Sequence, residues 1–222
     1  MRKFIFFAAM VILAVTLSFS SQAFGQSARK VLMIPREGYS ADLDLMLKME
    51  VGVMTLLLKN AGFQVDVATD SGQPILGQTE KIEKVMRLSE INLDDYVGII
   101  LPCMAVGWYP GPPVSYEAVA MVKKALNGGK PVAAASNGSV VLAVAGLLKE
   151  KKYAYFRDPL KMHKDWKRID LRYEGGIYSG DGVVQDGKII TSGVCPALER
   201  SYGKQSGTVP LTKAFIAAIG PK

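Results

Sequence analysis

The sequence predicts an α/β sandwich, a mostly parallel central sheet covered by helices on both faces. Short continuous apolar runs, such as Tyr96-Val97-Gly98-Ile99-Ile100-Leu101, read as strands buried on both sides. Segments with apolar residues at helical spacing alternate with them. The third observation is local. Pro131-Val132-Ala133-Ala134-Ala135 reads as a buried strand, Ser136-Asn137-Gly138 breaks it, and an apolar helical pattern follows at once. This strand–turn–helix passage is the setting in which hydrolases and amidotransferases expose a nucleophile.

In chain order, Lys30 to Ile34 is a first strand and Pro35 to Tyr39 a loop. Ser40 is placed to cap a helix whose first turn holds Asp42 and Asp44. Leu43, Met46, Leu47, Val53, Met54, Leu57 and Leu58 then recur with a helical period, and Gly62 closes the helix. Phe63 to Ala68 alternates as a second strand. Asp70 to Gly77 is a Gly/Pro loop, and residues 79–89 read as a short helix or an irregular stretch.

Tyr96 to Leu101 is the third strand, ending at Pro102. The loop Gly107-Trp108-Tyr109-Pro110-Gly111-Pro112-Pro113 leads to a helix from Ser115 to Leu126, closed by Gly128-Gly129. Strand 131–135 and helix 138–149 follow. Ile177 to Val184 and Lys188 to Thr191 flank Gln185-Asp186-Gly187, where Asp-Gly supplies a tight hairpin turn. Leu211 to Ile219 is a terminal helix.

The N-terminus speaks to compartment. Arg2 and Lys3 precede a nearly all-apolar run from Phe4 to Leu17, and Ala23-Phe24-Gly25 places small residues before a cut at Gln26. A signal peptide over 1–25, a single domain over 26–222 and export to a periplasm or the exterior are expected. The run is shorter than the roughly 20 residues that span a bilayer, so no stable membrane insertion is expected after its removal. A retained anchor is the alternative.

The formal charge is +7, with much of the excess in Lys149, Lys151, Lys152 and the stretch Lys161 to Arg168. Glu150, Asp158 and Asp165 interleave there, so a solvated face is expected and nucleic acid is not expected as a partner. The single histidine, His163, sits in that charged stretch, and the two cysteines have no metal-ligand spacing. No metal and no cofactor are expected.

Five stretches carry a resemblance. Met49-Glu50 stands ahead of Asn60-Ala61-Gly62-Phe63-Gln64-Val65, and Asp94 to Pro102 forms a strand ending in proline. Lys130 to Gly138, Ala145-Gly146-Leu147-Leu148-Lys149 and Asp186 to Ser192 complete the set. In this order they resemble the ThiJ/PfpI family of the class I glutamine amidotransferase-like superfamily, over roughly residues 29–200. The resemblance implies a flavodoxin-like three-layer sandwich. It also implies candidate activities, namely peptidase, amidase, or glyoxalase/deglycase.

The departures fall on the chemistry. Where the family has a nucleophilic cysteine, this chain has Ser136-Asn137-Gly138. Where the family's Pro-Gly-Gly leaves backbone amides open for an oxyanion, it has Pro102-Cys103-Met104. Glu50 matches the family's acid. It also shares a helical face with Met46, Val53, Met54 and Leu57, so it is either a pocket carboxyl that hydrogen-bonds Ser136 or an edge residue reaching solvent.

Ser136 is either a nucleophile lacking a base or a capping residue on the pocket floor. With the family's sheet order, Cys103 and Cys195 flank the Ser136 turn, as a disulfide, as two free thiols, or with Cys103 reactive. Trp108 and Tyr109 form either a ligand-binding wall over the pocket or a packed loop or homodimer contact.

The leading expectation is an exported, catalytically inactive or altered member. It would bind a small molecule or a protein partner at a pocket of Glu50, Cys103, Ser136, Asn137, Gly138, Trp108 and Tyr109. The rival is a hydrolase or glyoxalase-like enzyme using Ser136 or Cys103. A structural envelope protein acting through dimerisation is the third reading.

Overall fold

The structure, a computed structural model, describes residues 29–37, 43–104, 114–157 and 170–220. Its strands in chain order begin with β1 (Lys30–Met33), β2 (Gln64–Thr69), β3 (Ile75–Leu76), β4 (Lys81–Ile82), β5 (Met86–Arg87) and β6 (Tyr96–Leu101). They continue with β7 (Val132–Ala135), β8 (Lys152–Tyr153), β9 (Ile177–Tyr178), β10 (Val183–Asp186) and β11 (Ile189–Ser192). The α-helices are α1 (Leu43–Met46), α2 (Val53–Asn60), α3 (Tyr116–Asn127), α4 (Ser139–Val144), α5 (Pro196–Tyr202) and α6 (Thr208–Ile219).

Seven strands form one sheet in the order β10-β11-β7-β6-β1-β2-β5. All pairings are parallel except that of β10 with β11 at one edge. The expected sandwich with a mostly parallel sheet is therefore present.

Side chains alternate between the two faces of a strand, and the core divides accordingly. Leu32, Ile99, Leu101, Val132 and Ala134 pack with Val122 and Ala125 of α3 and with Val140 to Ala143 of α4. Val31, Met33, Ile100, Ala133, Ala135 and Ile190 pack on the opposite face with Met46, Met54, Leu58, Leu211 and Phe215. Continuous apolar strands are what such two-sided burial requires.

The small side chains of β7 and the bare Gly98 of β6 let α6 lie close. A Cβ at Gly98 would stand 2.9 Å from the Phe215 ring and 2.8 Å from the Pro131 carbonyl.

Four expectations need correction. Residues 79–89 form no α-helix, only a 3-10 turn that begins at Leu88. Asp44 Oδ1 accepts the Thr79 and Glu80 amides at 3.1 and 2.9 Å, which folds β3 and β4 into a hairpin, and β5 joins the sheet edge. Asp44 thus serves this hairpin, whereas Ser40 and Asp42 lie outside the described residues.

The helix expected over 138–149 is shorter, because Ser136–Gly138 is a 3-10 turn and α4 ends at Val144 ahead of Gly146 at φ 72°. The strand expected over 177–184 is split by Gly180 at φ 97° into β9 and β10. The hairpin turn falls one residue later than expected, at Gly187-Lys188, between the paired Asp186 and Ile189. Helix α5 was not anticipated, although Pro196 at its first position and the left-handed Gly203 after its end mark it.

Phe215 is fully buried between α6 and the sheet. Phe215→Ala is expected to cost about 3–5 kcal/mol, read from urea unfolding.

Candidate functional site

In open parallel sheets, ligands bind beyond the carboxyl ends of the strands, where the chain's winding reverses. Here β2 and β6 lie on opposite sides of β1. The segments leaving the carboxyl ends of β1, β6, β7 and β11 carry Arg36, Cys103, Ser136 and Cys195.

The turn after β7 is built by close approach. Ser136 has φ 43° and Met104 φ 54°, a left-handed backbone that non-glycine residues rarely adopt. A Cβ on Gly138 would stand 2.4 Å from the Leu101 carbonyl oxygen and 3.0 Å from that of Pro102, so only glycine lets the turn press against the end of β6. Ser139 Oγ donates to the Ser136 carbonyl at 2.6 Å and meets the Tyr173 hydroxyl at 2.9 Å. Tyr155 donates its hydroxyl proton to Asn137 Oδ1 at 2.8 Å.

Glu50 comes from the opposite layer. It lies in a π-helical stretch, Leu47–Gly52, inserted between α1 and α2. π-Turns shift a helix's register and often mark functional positions. Glu50 is 0 % exposed, which removes the solvent-reaching alternative.

Its Oε2 accepts the Met104 amide at 3.1 Å, and Oε1 is buried with no hydrogen-bond partner among the described residues. Burial first, then the charge of Cys103, push this carboxyl well above the usual range, against the opposing Met104 and Cys103 amides. The carboxyl therefore engages the backbone after β6. The expected hydrogen bond to the Ser136 hydroxyl is not among those this carboxyl makes in the described residues.

Cys103 and Cys195 are buried free thiols in the same core face of the sheet. No disulfide joins them in the structure. The Cys195 thiol, followed by burial, holds Cys103 well above the usual thiol range, while the Asn137 amide and the Ser136 hydroxyl favour its thiolate. Cys103 is thus the sulfur that faces the turn.

On the solvent side the turn is edged by half-buried Asn137, Arg36 and Arg172. Burial lowers the Arg36 pKa; the charge of Cys103 opposes that shift and the Arg172 guanidinium adds to it. A cleft of about 80 Å³, lined by residues including Arg36, Asp70 and Ser115, adjoins this edge.

The structure thus brings together Glu50, Cys103, Ser136, Asn137, Gly138 and Cys195. Trp108, Tyr109 and His163 lie outside the described residues. Sequence reasoning missed Arg36, Tyr155, Arg172 and Tyr173. Arg36 was findable, since it follows a buried strand at its carboxyl end. The other three reach the turn from distant segments and leave no local signal.

The DJ-1/PfpI family model matches residues 39–200. An uncharacterized protein of Methanocaldococcus jannaschii is 32% identical over 180 residues, covering 78% of each chain. Among solved structures, the ThiJ/PfpI domain protein from Brachyspira murdochii matches with TM-score 0.61 at 14% identity, covering 86% of this chain and 96% of that one. Schizosaccharomyces pombe DJ-1 matches with TM-score 0.59 at 14% identity, covering 87% and 93% respectively. The two structural likenesses speak to the fold.

The Glu50 shift has a signed consequence. Because the folded chain holds this proton more tightly than the unfolded one, its contribution to stability is complete below the ordinary glutamate range. It is lost as pH rises through the elevated folded value. Glu50→Gln is therefore expected to gain stability relative to the parent as pH rises above the ordinary glutamate range, by at most about 1.4 kcal/mol per pH unit. Urea unfolding across that pH series measures it.

Proposed function

Because this chain belongs to the DJ-1/PfpI family, we propose that it is an exported member whose turn has lost covalent chemistry and whose pocket binds a small anionic ligand. The observation that carries this reading is the partner of Glu50. The buried carboxyl is turned to the Met104 amide, and no base is hydrogen-bonded to the Ser136 hydroxyl among the described residues. An alcohol becomes a nucleophile when a base takes its proton. Glu50 is engaged by the Met104 amide instead, and burial pushes its carboxyl well above the usual range.

The left-handed backbone at Ser136 persists without the reactive group it would serve. What that geometry still supplies is a shaped floor. The two guanidiniums at its rim, Arg36 and Arg172, favour a carboxylate or similar anion, since guanidinium groups bind such groups through paired hydrogen bonds.

A second reading has its own observation. The Asn137 amide and the Ser136 hydroxyl favour the Cys103 thiolate, against the larger upward pull of the Cys195 thiol and burial. An enzyme of the hydrolase or glyoxalase class would then use Cys103 in place of a turn cysteine.

Titration calorimetry with a panel of small mono- and dicarboxylates tests the binding reading. One or more is expected to bind, with affinity reduced about tenfold by Arg36→Ala and unchanged by Ser136→Ala. Turnover of a peptide, amide or glyoxal substrate that Ser136→Ala or Cys103→Ser abolishes would overturn it. Export rests on the Arg2 to Gly25 stretch. Intact mass of the protein from fractionated cells is expected to give a chain beginning at Gln26 outside the cytoplasm.

A further inference from the structure

We propose that the open edge of β2, with the groove beside it, binds an extended acidic peptide that joins the sheet as a further strand. The inference does not depend on the carboxylate-binding reading above. It starts from an incomplete pairing. β2 pairs with β1 from Gln64 to Val67, but β5 pairs with β2 only at Ala68 and Thr69. Among the described residues, no strand lies beside Gln64–Val67 on that outer side. Gln64 donates its amide to the Arg29 carbonyl at 2.9 Å, on the β1 side. Backbone groups of successive strand residues point to alternate sides, so the Val65 and Val67 amides point away from β1. An unpaired edge of this kind is a template for an added strand.

A second observation falls on the same residues. Val65, Asp66 and Val67 line a groove of about 550 Å³. Leu47, Val51 and Leu56 contribute to it from the helical layer, and Ile82 from β4. Leu56 is 59% exposed, an apolar side chain of the groove left open to solvent. When a peptide adds to a sheet edge, main-chain hydrogen bonds supply affinity and side-chain pockets supply specificity. Here the edge and an apolar pocket lie side by side.

Charge defines the partner. Lys48, Lys59 and Lys84 also line the groove, and none has an ion-pair partner among the described residues. The neighbouring groups are largely committed. Lys81 pairs with Glu83 at 2.7 Å, and Asp66 with Lys30 at 3.2 Å and the Tyr96 hydroxyl at 3.0 Å. That leaves Glu80 against three lysines, a net positive rim. Lys48 and Lys59 stand about 15 Å apart in helical rise, the span of about five residues of an extended chain. The matching ligand therefore has an aliphatic centre for the groove and carboxylates at both ends for the lysines.

The probe is a fluorescein-labelled peptide with a Val-Thr-Val centre and two glutamates at each end, followed by fluorescence anisotropy on the full chain. Micromolar binding is expected. Replacing the glutamates by lysines should weaken it at least about tenfold, as should methylating alternate backbone amides of the peptide, which removes the donors a strand needs. In the protein, the exposed pair Lys59→Glu and Lys84→Glu should also cost about tenfold in affinity. Val65→Pro removes an outward amide and should abolish binding, with urea unfolding checking that the variant is folded.

The proposal is overturned if the labelled peptide does not bind, or if its methylated or lysine-ended form binds as tightly. It is overturned equally if the folded Val65→Pro or the lysine variant binds like the parent. Dodecanoate that displaces the peptide only from the parent and not from the lysine variant would assign the groove to an acyl chain and overturn it too. Arg36→Ala should leave peptide affinity unchanged, and a loss there would put the peptide at the Ser136 turn instead. Carboxylate binding is read through Arg36 and peptide binding through Val65 and Lys59, so either reading can fail while the other stands.

Discussion

The contact of Gly138 with the backbone of Leu101 and Pro102 sets the geometry of the whole carboxyl edge. With no side chain there, the turn after β7 settles against the end of β6, where a single added carbon would meet a carbonyl oxygen at 2.4 Å. That approach holds Ser136 in a left-handed conformation beside the segment that carries Cys103 and Met104. It also places the Ser136 carbonyl where Ser139 Oγ ties it down, itself held by the Tyr173 hydroxyl. Glu50, rising from the other layer, then meets the backbone that leaves β6.

Much of this was legible in the chain. Continuous apolar runs revealed the central strands, and Tyr96–Leu101 matches its expected bounds residue for residue. The Ser-Asn-Gly break after Val132–Ala135 marked the turn because few residue combinations end a buried strand so abruptly. Glu50 stood out because a carboxyl in an apolar stripe has no inexpensive place to go. Its burial followed, but its partner did not, since helical spacing says which face a residue occupies and not what that face meets.

The remainder was hidden for physical reasons. In residues 79–89, Ile82, Val85 and Met86 fall at a helical spacing, whereas the hairpin built there depends on Asp44, 35 residues upstream. The Tyr155 and Tyr173 rings meet at a tilt 5.0 Å apart and both reach the Ser136 turn, a convergence created only when the chain folds. The meeting of Cys103 and Cys195 required a strand order that no local pattern encodes. Only the resemblance to a known family suggested it in advance.

The π-helical stretch has a final implication for the first helical layer. Before it, Met46 faces the core, and after it, Met54 and Leu58 do so as well. The widened turn between them acts as a dislocation, joining two screws of the same pitch whose threads are offset. Glu50 sits at the fault. A chain one residue shorter between Leu47 and Gly52 could wind as an uninterrupted α-helix and still bury its methionines. The carboxyl would then be carried around the axis, away from the strand ends. The irregularity is therefore what allows one helix to serve as a wall of the core and as a floor of the site.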